Sequence, residues 1–216
     1  MPPTTEAAPT AEGFALSDYD YPLSDDRIAL RPAVPRDSAK LLVAAAGEPL
    51  CDHRVADLPQ LLRPGDRLVV NDSRVIPAQL AGVRERDGHR AAVSLTLITQ
   101  LGHLRWRAFA KPAKRIKAGD RLAFPSGDGE IEAEVFVRDG AAVDVAFGRD
   151  PLVAGAMPLP PYIAARREPD EKDRTDYQTV YAEPPGSVAA PTAGLHFTQS
   201  LLAELAQNEV SVTRVS

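Results

Sequence analysis

The sequence predicts an α/β fold: a mixed α/β domain interrupted by an inserted small antiparallel β-barrel. Three observations predict it. Between Arg63 and Gly148 apolar residues recur at every second position. Tight-turn residues punctuate that stretch, and helix signals return on both sides of it.

Taken in order, Asp57 to Leu62 reads as a short helix closed by Arg63-Pro64-Gly65. Leu68-Val69-Val70 is an apolar strand. Val93, Leu95 and Leu97 alternate, as do Leu104, Trp106, Ala108 and Ala110 against Arg105, Arg107 and Phe109. Ile131, Ala133, Val135 and Val137, then Val143, Val145 and Phe147, repeat the period. Ser126-Gly127-Asp128-Gly129 and Asp139-Gly140 supply turns. Short alternating strands joined in this way suit a small barrel. Asp150-Pro151 is a helix start, with a capping residue and then proline in the first turn. Asp170 to Tyr177 is charged and reads as helical. Thr198 caps a helix with Leu201, Leu202 and Leu205 on one face that stops near Asn208, and Val210 to Val215 reads as a strand. The expected division is a disordered tail over 1–13, a discontinuous α/β domain over 14–62 and 151–216, and the barrel over 63–150. Gly65-Asp66-Arg67-Leu68 echoes Gly119-Asp120-Arg121-Leu122, which a shared tight turn before a strand explains.

Composition narrows the function. An apolar share of 44% and a charged share of 25% are ordinary for a soluble globular protein. The one cysteine, Cys51, excludes an internal disulfide and a cysteine-rich zinc site, and fits a reducing cytoplasm. Met1 to Glu12 lacks the basic and apolar regions of a secretory signal. No apolar run approaches the roughly 20 residues of a membrane span. The net charge of −5 argues against a general nucleic-acid binder. Yet Arg105, Arg107, Lys111, Lys114, Arg115, Lys117 and Arg121 form a local basic strip in which Asp120 is the lone acid. Such a strip suits a partner that touches part of the surface.

Nucleotide-binding glycine loops, a nucleophile elbow and metal-ligand spacings are all absent from the sequence. Five segments stand out instead. Ala189 to Thr198 is rich in Ala, Gly and Pro, which lets a ligand approach the backbone. It carries the hydroxyls of Thr192 and Thr198, and His196, whose side-chain type titrates near neutrality and suits proton transfer. A loop holding a structural histidine explains it equally well. Met157 to Tyr162 has three prolines in six residues. It either walls a pocket and offers Tyr162 for stacking, or is a stiff linker. Asn71-Asp72-Ser73-Arg74 is a binding loop or a turn in which Asn71 and Asp72 bond their own backbone. Arg36-Asp37-Ser38 is explained by a helix cap. Lys111-Pro112-Ala113-Lys114-Arg115-Ile116-Lys117 places four cations in seven residues. It is a solvated loop or a set of phosphate contacts.

With Tyr19-Asp20-Tyr21-Pro22-Leu23, Leu62-Arg63-Pro64-Gly65-Asp66 and Tyr177-Gln178-Thr179-Val180-Tyr181-Ala182, these segments resemble, in order, the S-adenosylmethionine:tRNA ribosyltransferase-isomerase family of queuosine biosynthesis. The resemblance implies an α/β domain with an inserted barrel. It implies S-adenosylmethionine as a ribosyl donor, with no metal. The acceptor would be the aminomethyl group of a deazaguanine at the wobble position of a tRNA with a GUN anticodon, and the products epoxyqueuosine-tRNA, adenine and methionine. It also implies roles. His196 or Asp72 would move protons, Thr192, Gly194, Tyr162 and Arg74 would bind the donor, and Lys111, Lys114, Arg115 and Lys117 would hold anticodon-stem phosphates. A cytoplasmic monomer is expected. Family members carry a further His-Val-Gly-Ala-Gly-Thr-Phe stretch that this sequence lacks, so the alternative is a shortened, non-catalytic tRNA-binding paralogue.

Overall fold

The computed structural model describes residues 15–216; the tail expected over 1–13 lies outside them. Single-turn 3₁₀ segments lead to the hairpin β1 (Lys40–Val43) and β2 (Cys51–Arg54), paired antiparallel from Lys40 with Arg54 to Val43 with Cys51. Helix α1 (Leu58–Leu61) follows, and Gly65 turns the chain at φ +91° into β3 (Arg67–Asn71) and β4 (Arg74–Val75). Six strands come next: β5 (Gln79–Arg86), β6 (His89–Gly102), β7 (Arg105–Lys111), β8 (Arg121–Ser126), β9 (Gly129–Asp139) and β10 (Ala142–Phe147). The short helices α2 (Pro161–Ala164) and α3 (Asp173–Asp176), strand β11 (Pro185–Ser187), helix α4 (Gln199–Gln207) and strand β12 (Ser211–Val215) complete the chain.

The fold is mixed α/β around a closed antiparallel barrel with strand order β10-β7-β6-β5-β8-β9. Its interior is the alternating set read from the sequence. Val93, Leu95 and Leu97, Trp106, Ala108 and Ala110, Ile131, Ala133 and Val135, and Val143, Val145 and Phe147 are all buried with Leu80, Leu122 and Phe124. Val137 departs from the pattern and is exposed, past the register shift that β10 makes between Asp144 and Val145. Closure leaves every barrel strand with two partners and so removes exposed edges.

The barrel starts later than position 63. Strand β3, inside the expected insert, pairs parallel with β12, Arg67 with Ser211 through Asn71 with Val215, and β4 pairs parallel with β11. The alternating signal begins before the barrel because β3 is itself half-buried: Val70 is buried, and Leu68 packs against the cluster of Val55, Leu201, Leu205 and Val210. The chain enters and leaves the barrel side by side. Gln79 and Ala156 exchange backbone hydrogen bonds of 3.1 and 2.8 Å. A Cβ on Gly155 would lie 1.7 Å from the Pro77 carbonyl oxygen, so the crossing requires glycine.

The predicted helix caps form where expected. The Asp150 carboxylate accepts from Leu152 N–H at 3.0 Å, and the Thr198 hydroxyl accepts from Leu201 N–H at 3.1 Å. The echoed Gly-Asp-Arg-Leu segments are one turn used twice: Arg63 N–H donates to Asp66 and Lys117 N–H to Asp120, each at 2.8 Å.

Candidate functional site

Three of the segments singled out in the sequence converge. Met157 and Ile163, Tyr177, and Leu195 pack on Val75 in one buried cluster beside the barrel, with Leu30, Leu159 and Ala190 at its edge. Side chain to backbone hydrogen bonds across long stretches of chain fix this arrangement. The Gln178 amide exchanges two bonds with Val75, accepting from its N–H at 3.0 Å and donating to its carbonyl at 2.7 Å. Arg36 donates to the carbonyls of Thr175, Gln178 and Leu195 at 2.7, 2.7 and 3.3 Å. Asp37 accepts from the Thr198 hydroxyl at 2.6 Å. Arg36-Asp37-Ser38 is therefore a tie between remote segments, with no side-chain helix cap of its own.

A buried carboxylate locks the neighbouring loop. Asp173 is fully buried and accepts from Arg31 at 2.8 Å, from Arg167 at 2.9 and 2.5 Å, and from the Asp170 N–H at 2.8 Å. Burial pushes its carboxyl pKa up, but the Arg167 hydrogen bonds, the Asp170 N–H and the charges of Arg167 and Arg31 outweigh it and hold the group below the usual carboxylate range. Arg31 also reaches Asp176 at 3.0 Å and Asp170.

The segment 189–198 forms a 3₁₀ turn, Thr192–His196, leading into α4. A Cβ on Gly194 would lie 2.3 Å from the Tyr181 hydroxyl and 3.0 Å from Thr179 Cγ2, so glycine lets these side chains reach the turn. Burial pushes the Tyr181 phenol pKa up. Among the described residues, Thr179 Oγ1 and His196 Nδ1 are buried without a hydrogen-bond partner. Such orphaned polar atoms are rare in folded proteins and fit a polar ligand or a water. Thr192 is exposed and its hydroxyl donates to the Ala190 carbonyl at 3.4 Å; Tyr162 is 49% exposed.

Asp72 lies apart from this turn. It is buried, and one carboxylate oxygen accepts from the Ser216 hydroxyl at 2.6 Å. Its carbonyl accepts from Glu183 N–H, and Arg74 donates to the carbonyls of Ala182 and Glu183 at 2.9 and 3.4 Å. Asn71 makes the local turn, accepting from Ser73 N–H at 2.8 Å. No hydrogen bond or ion pair joins His196 to Asp72 among the described residues.

The basic loop stands on the barrel. Ile116 is buried and pins it, while Lys111, Lys114, Arg115 and Lys117 face solvent. Arg84 and Arg86 both donate to the Arg115 carbonyl, at 2.6 and 3.2 Å. Asp120, the lone acid of the strip, is buried under two hydrogen bonds from Arg86 of 2.7 and 2.5 Å. Among the described residues the four loop cations have no acidic partner. Gln178 and Arg36 carry no local signal for these roles, because their partners lie more than a hundred positions away.

The fold is thus a closed barrel with α/β flanks, carrying a histidine beside a glycine turn and a basic loop without acidic partners among the described residues. The profile described as "Queuosine biosynthesis protein" matches residues 16–216, and the chain belongs to that family. It is 53% identical over 217 residues to the S-adenosylmethionine:tRNA ribosyltransferase-isomerase of Caulobacter vibrioides, covering 91% of this chain and 59% of that protein. To the namesake of Phenylobacterium zucineum it is 53% identical over 216 residues, covering 93% and 60%. The chain thus spans about three-fifths of the length of these relatives. A solved S-adenosylmethionine tRNA ribosyltransferase from Thermotoga maritima is similar at 25% identity and a TM-score of 0.35, over 91% of this chain and 56% of that one.

Proposed function

We propose that this chain acts in queuosine biosynthesis as a tRNA ribosyltransferase-isomerase. The observation that carries the reading is the convergence of the Met157, Tyr177 and Leu195 segments on one core, in a chain 53% identical to relatives of that name. S-Adenosylmethionine is the ribosyl donor. The acceptor is the aminomethyl group of a 7-deazaguanine at the wobble position of a GUN-anticodon tRNA, and adenine and methionine leave. The protein works as a monomer in the cytoplasm and uses no metal.

The reaction requires a base for the proton beside the sulfonium and a proton donor or hydrogen bond for departing adenine. His196, with its unpartnered Nδ1, and Asp72 are the candidates. Gly194, Thr192, Tyr162 and Arg74 bind the donor, and the orphaned Thr179 hydroxyl fits a polar group of the same ligand. Lys111, Lys114, Arg115 and Lys117 hold phosphates. A second reading, tRNA binding without turnover, is supported by those unpaired cations alone.

The test is nucleoside mass spectrometry after incubation with S-adenosylmethionine and tRNA carrying the aminomethyl-deazaguanine. Epoxyqueuosine with free adenine is the expected result, and His196→Ala or Asp72→Ala should cut turnover by ~100-fold or more. Bound tRNA with no product would leave the second reading, and wild-type turnover in both variants would end the assigned roles.

A further inference from the structure

The outer face of the barrel carries an arrangement of which the reading above uses Lys111 alone. Register places two rows across β5, β6 and β7: Gln79, Thr96 and Phe109 in one, Ala81, Ser94 and Lys111 in the next. Opposite them run Leu159, Pro161 and the loop to Glu168, and the two walls enclose a cleft of about 690 Å³.

We propose that this cleft binds one unpaired nucleotide of an RNA, with Phe109 as the stacking surface. Phe109 is 55% exposed, and the outward positions flanking it on its strand are the cations Arg107 and Lys111. Leu159 and Pro161 supply the apolar wall for the other face of a base. One half of the Gln79 amide is held by the Thr96 hydroxyl at 2.8 Å, and the other half has no partner among the described residues. It can reach a base edge, as can the Ser94 hydroxyl, while the Glu168 carboxylate is an acceptor for an amino group on that edge. Lys111 has no counter-ion among the described residues and begins the basic loop, so a strand leaving the cleft would run onto Lys114 and Lys117. A paired base has no free face for the ring, and this selects single-stranded nucleotides.

The inference rests on the RNA-binding part of the proposed function. The probe is a single-stranded RNA octamer with a central 2-aminopurine, compared with the same strand annealed to its complement, each titrated with the full chain. Binding of the single strand should quench the fluorophore. Phe109→Ala should weaken binding roughly tenfold and abolish the quench, and Phe109→Tyr should keep both. The ring is exposed, so the melting temperature of Phe109→Ala should match the wild type; if it falls, Phe109→Leu, which keeps apolar bulk without a stacking face, gives the same readout. Octamer binding that is indifferent to both Phe109→Ala and Phe109→Leu, or equal quenching in the duplex, would overturn the cleft and leave the basic loop's role intact. No binding of either RNA by the wild type would remove both.

Discussion

The barrel and the flanks are held together in different ways. In the barrel each strand has two neighbours, and the core is a single apolar cluster from Ile76 to Phe147. In the flanks the sheets are pairs of strands, most helices are single turns, and the ties are polar: Arg36 to three carbonyls, Gln178 to Val75, Asp173 between Arg31 and Arg167. The barrel repeats one apolar pattern along its strands, and its hairpins are joined into a closed ring by the β5–β8 and β7–β10 pairings. The flanks join residues more than a hundred positions apart through specific donors and acceptors. Rigidity there depends on buried polar atoms finding their partners, which is also what a site must supply to a ligand.

The largest expected effect breaks the barrel. Phe124 is fully buried and its ring centroid lies 5.9 Å from that of Phe147. Phe124→Ala should cost about 4 kcal/mol, the usual loss for a large core aromatic. Trp106, the one tryptophan of the sequence, lies in the barrel core and reports this unfolding by fluorescence. An unchanged transition would show that the barrel core is not the stabilising unit.

Asp173→Asn comes next and sharpens the comparison. It turns one acceptor oxygen into a donor facing Arg167, Arg31 or the Asp170 N–H. Breaking a buried pair costs about 3 kcal/mol here, at the low end because the Arg31 side chain keeps 31% exposure. Hydrogen exchange over residues 160–178 should quicken while the Trp106 signal holds. The pH dependence follows from the depressed folded-state pKa. The contribution of Asp173 is complete above the unfolded carboxyl value of about 3.9 and is lost as pH falls through the lower folded value. Acid should therefore loosen the wild-type flank, and the Asn variant should lose that part of the slope. Simultaneous loss of flank and barrel in the variant would mean that the two regions form one cooperative unit.

This division also explains what the sequence made legible. The alternation of Trp106, Ala108 and Ala110, or of Ile131, Ala133 and Val135, is a local pattern with one structural solution, so the barrel strands could be read directly. Thr198 and Asp150 acted as caps because capping is settled within three residues. The limit at 63 failed because β3 and a barrel strand present the same half-buried apolar run, and partner choice is not written in either strand. Of the candidate site, the sequence marks the Met157, Tyr177 and Ala189 segments by their prolines, small residues and aromatics, and these segments pack together. The Gln178–Val75 exchange and the Asp173 network were not legible, since no spacing rule connects positions 31, 75, 167 and 178. The unpaired state of His196 Nδ1 depends on packing that no short motif encodes.

The smallest expected effect on stability falls on the loop cations, and it separates folding from function. Lys114 and Lys117 are exposed and unpaired among the described residues, and the loop is pinned from beneath by Ile116, Arg84 and the Arg86–Asp120 pair. Replacing either lysine with alanine should shift stability by less than about 0.5 kcal/mol. If these side chains meet phosphate, each loss should lower the slope of log affinity against log salt by about 1 and weaken all tRNAs alike. Arg86→Ala should act through the other route. It would take the ion-pair partner from the buried Asp120 carboxylate, which keeps the Lys117 N–H, and remove one of the two donors to the Arg115 carbonyl, so the loop should loosen and RNA affinity and barrel stability should fall together. Equal salt slopes for the wild type and Lys114→Ala, Lys117→Ala double variant would move the phosphate contacts elsewhere, whereas a lower slope with unchanged melting would assign the loop to the polyanion and its acid to the fold.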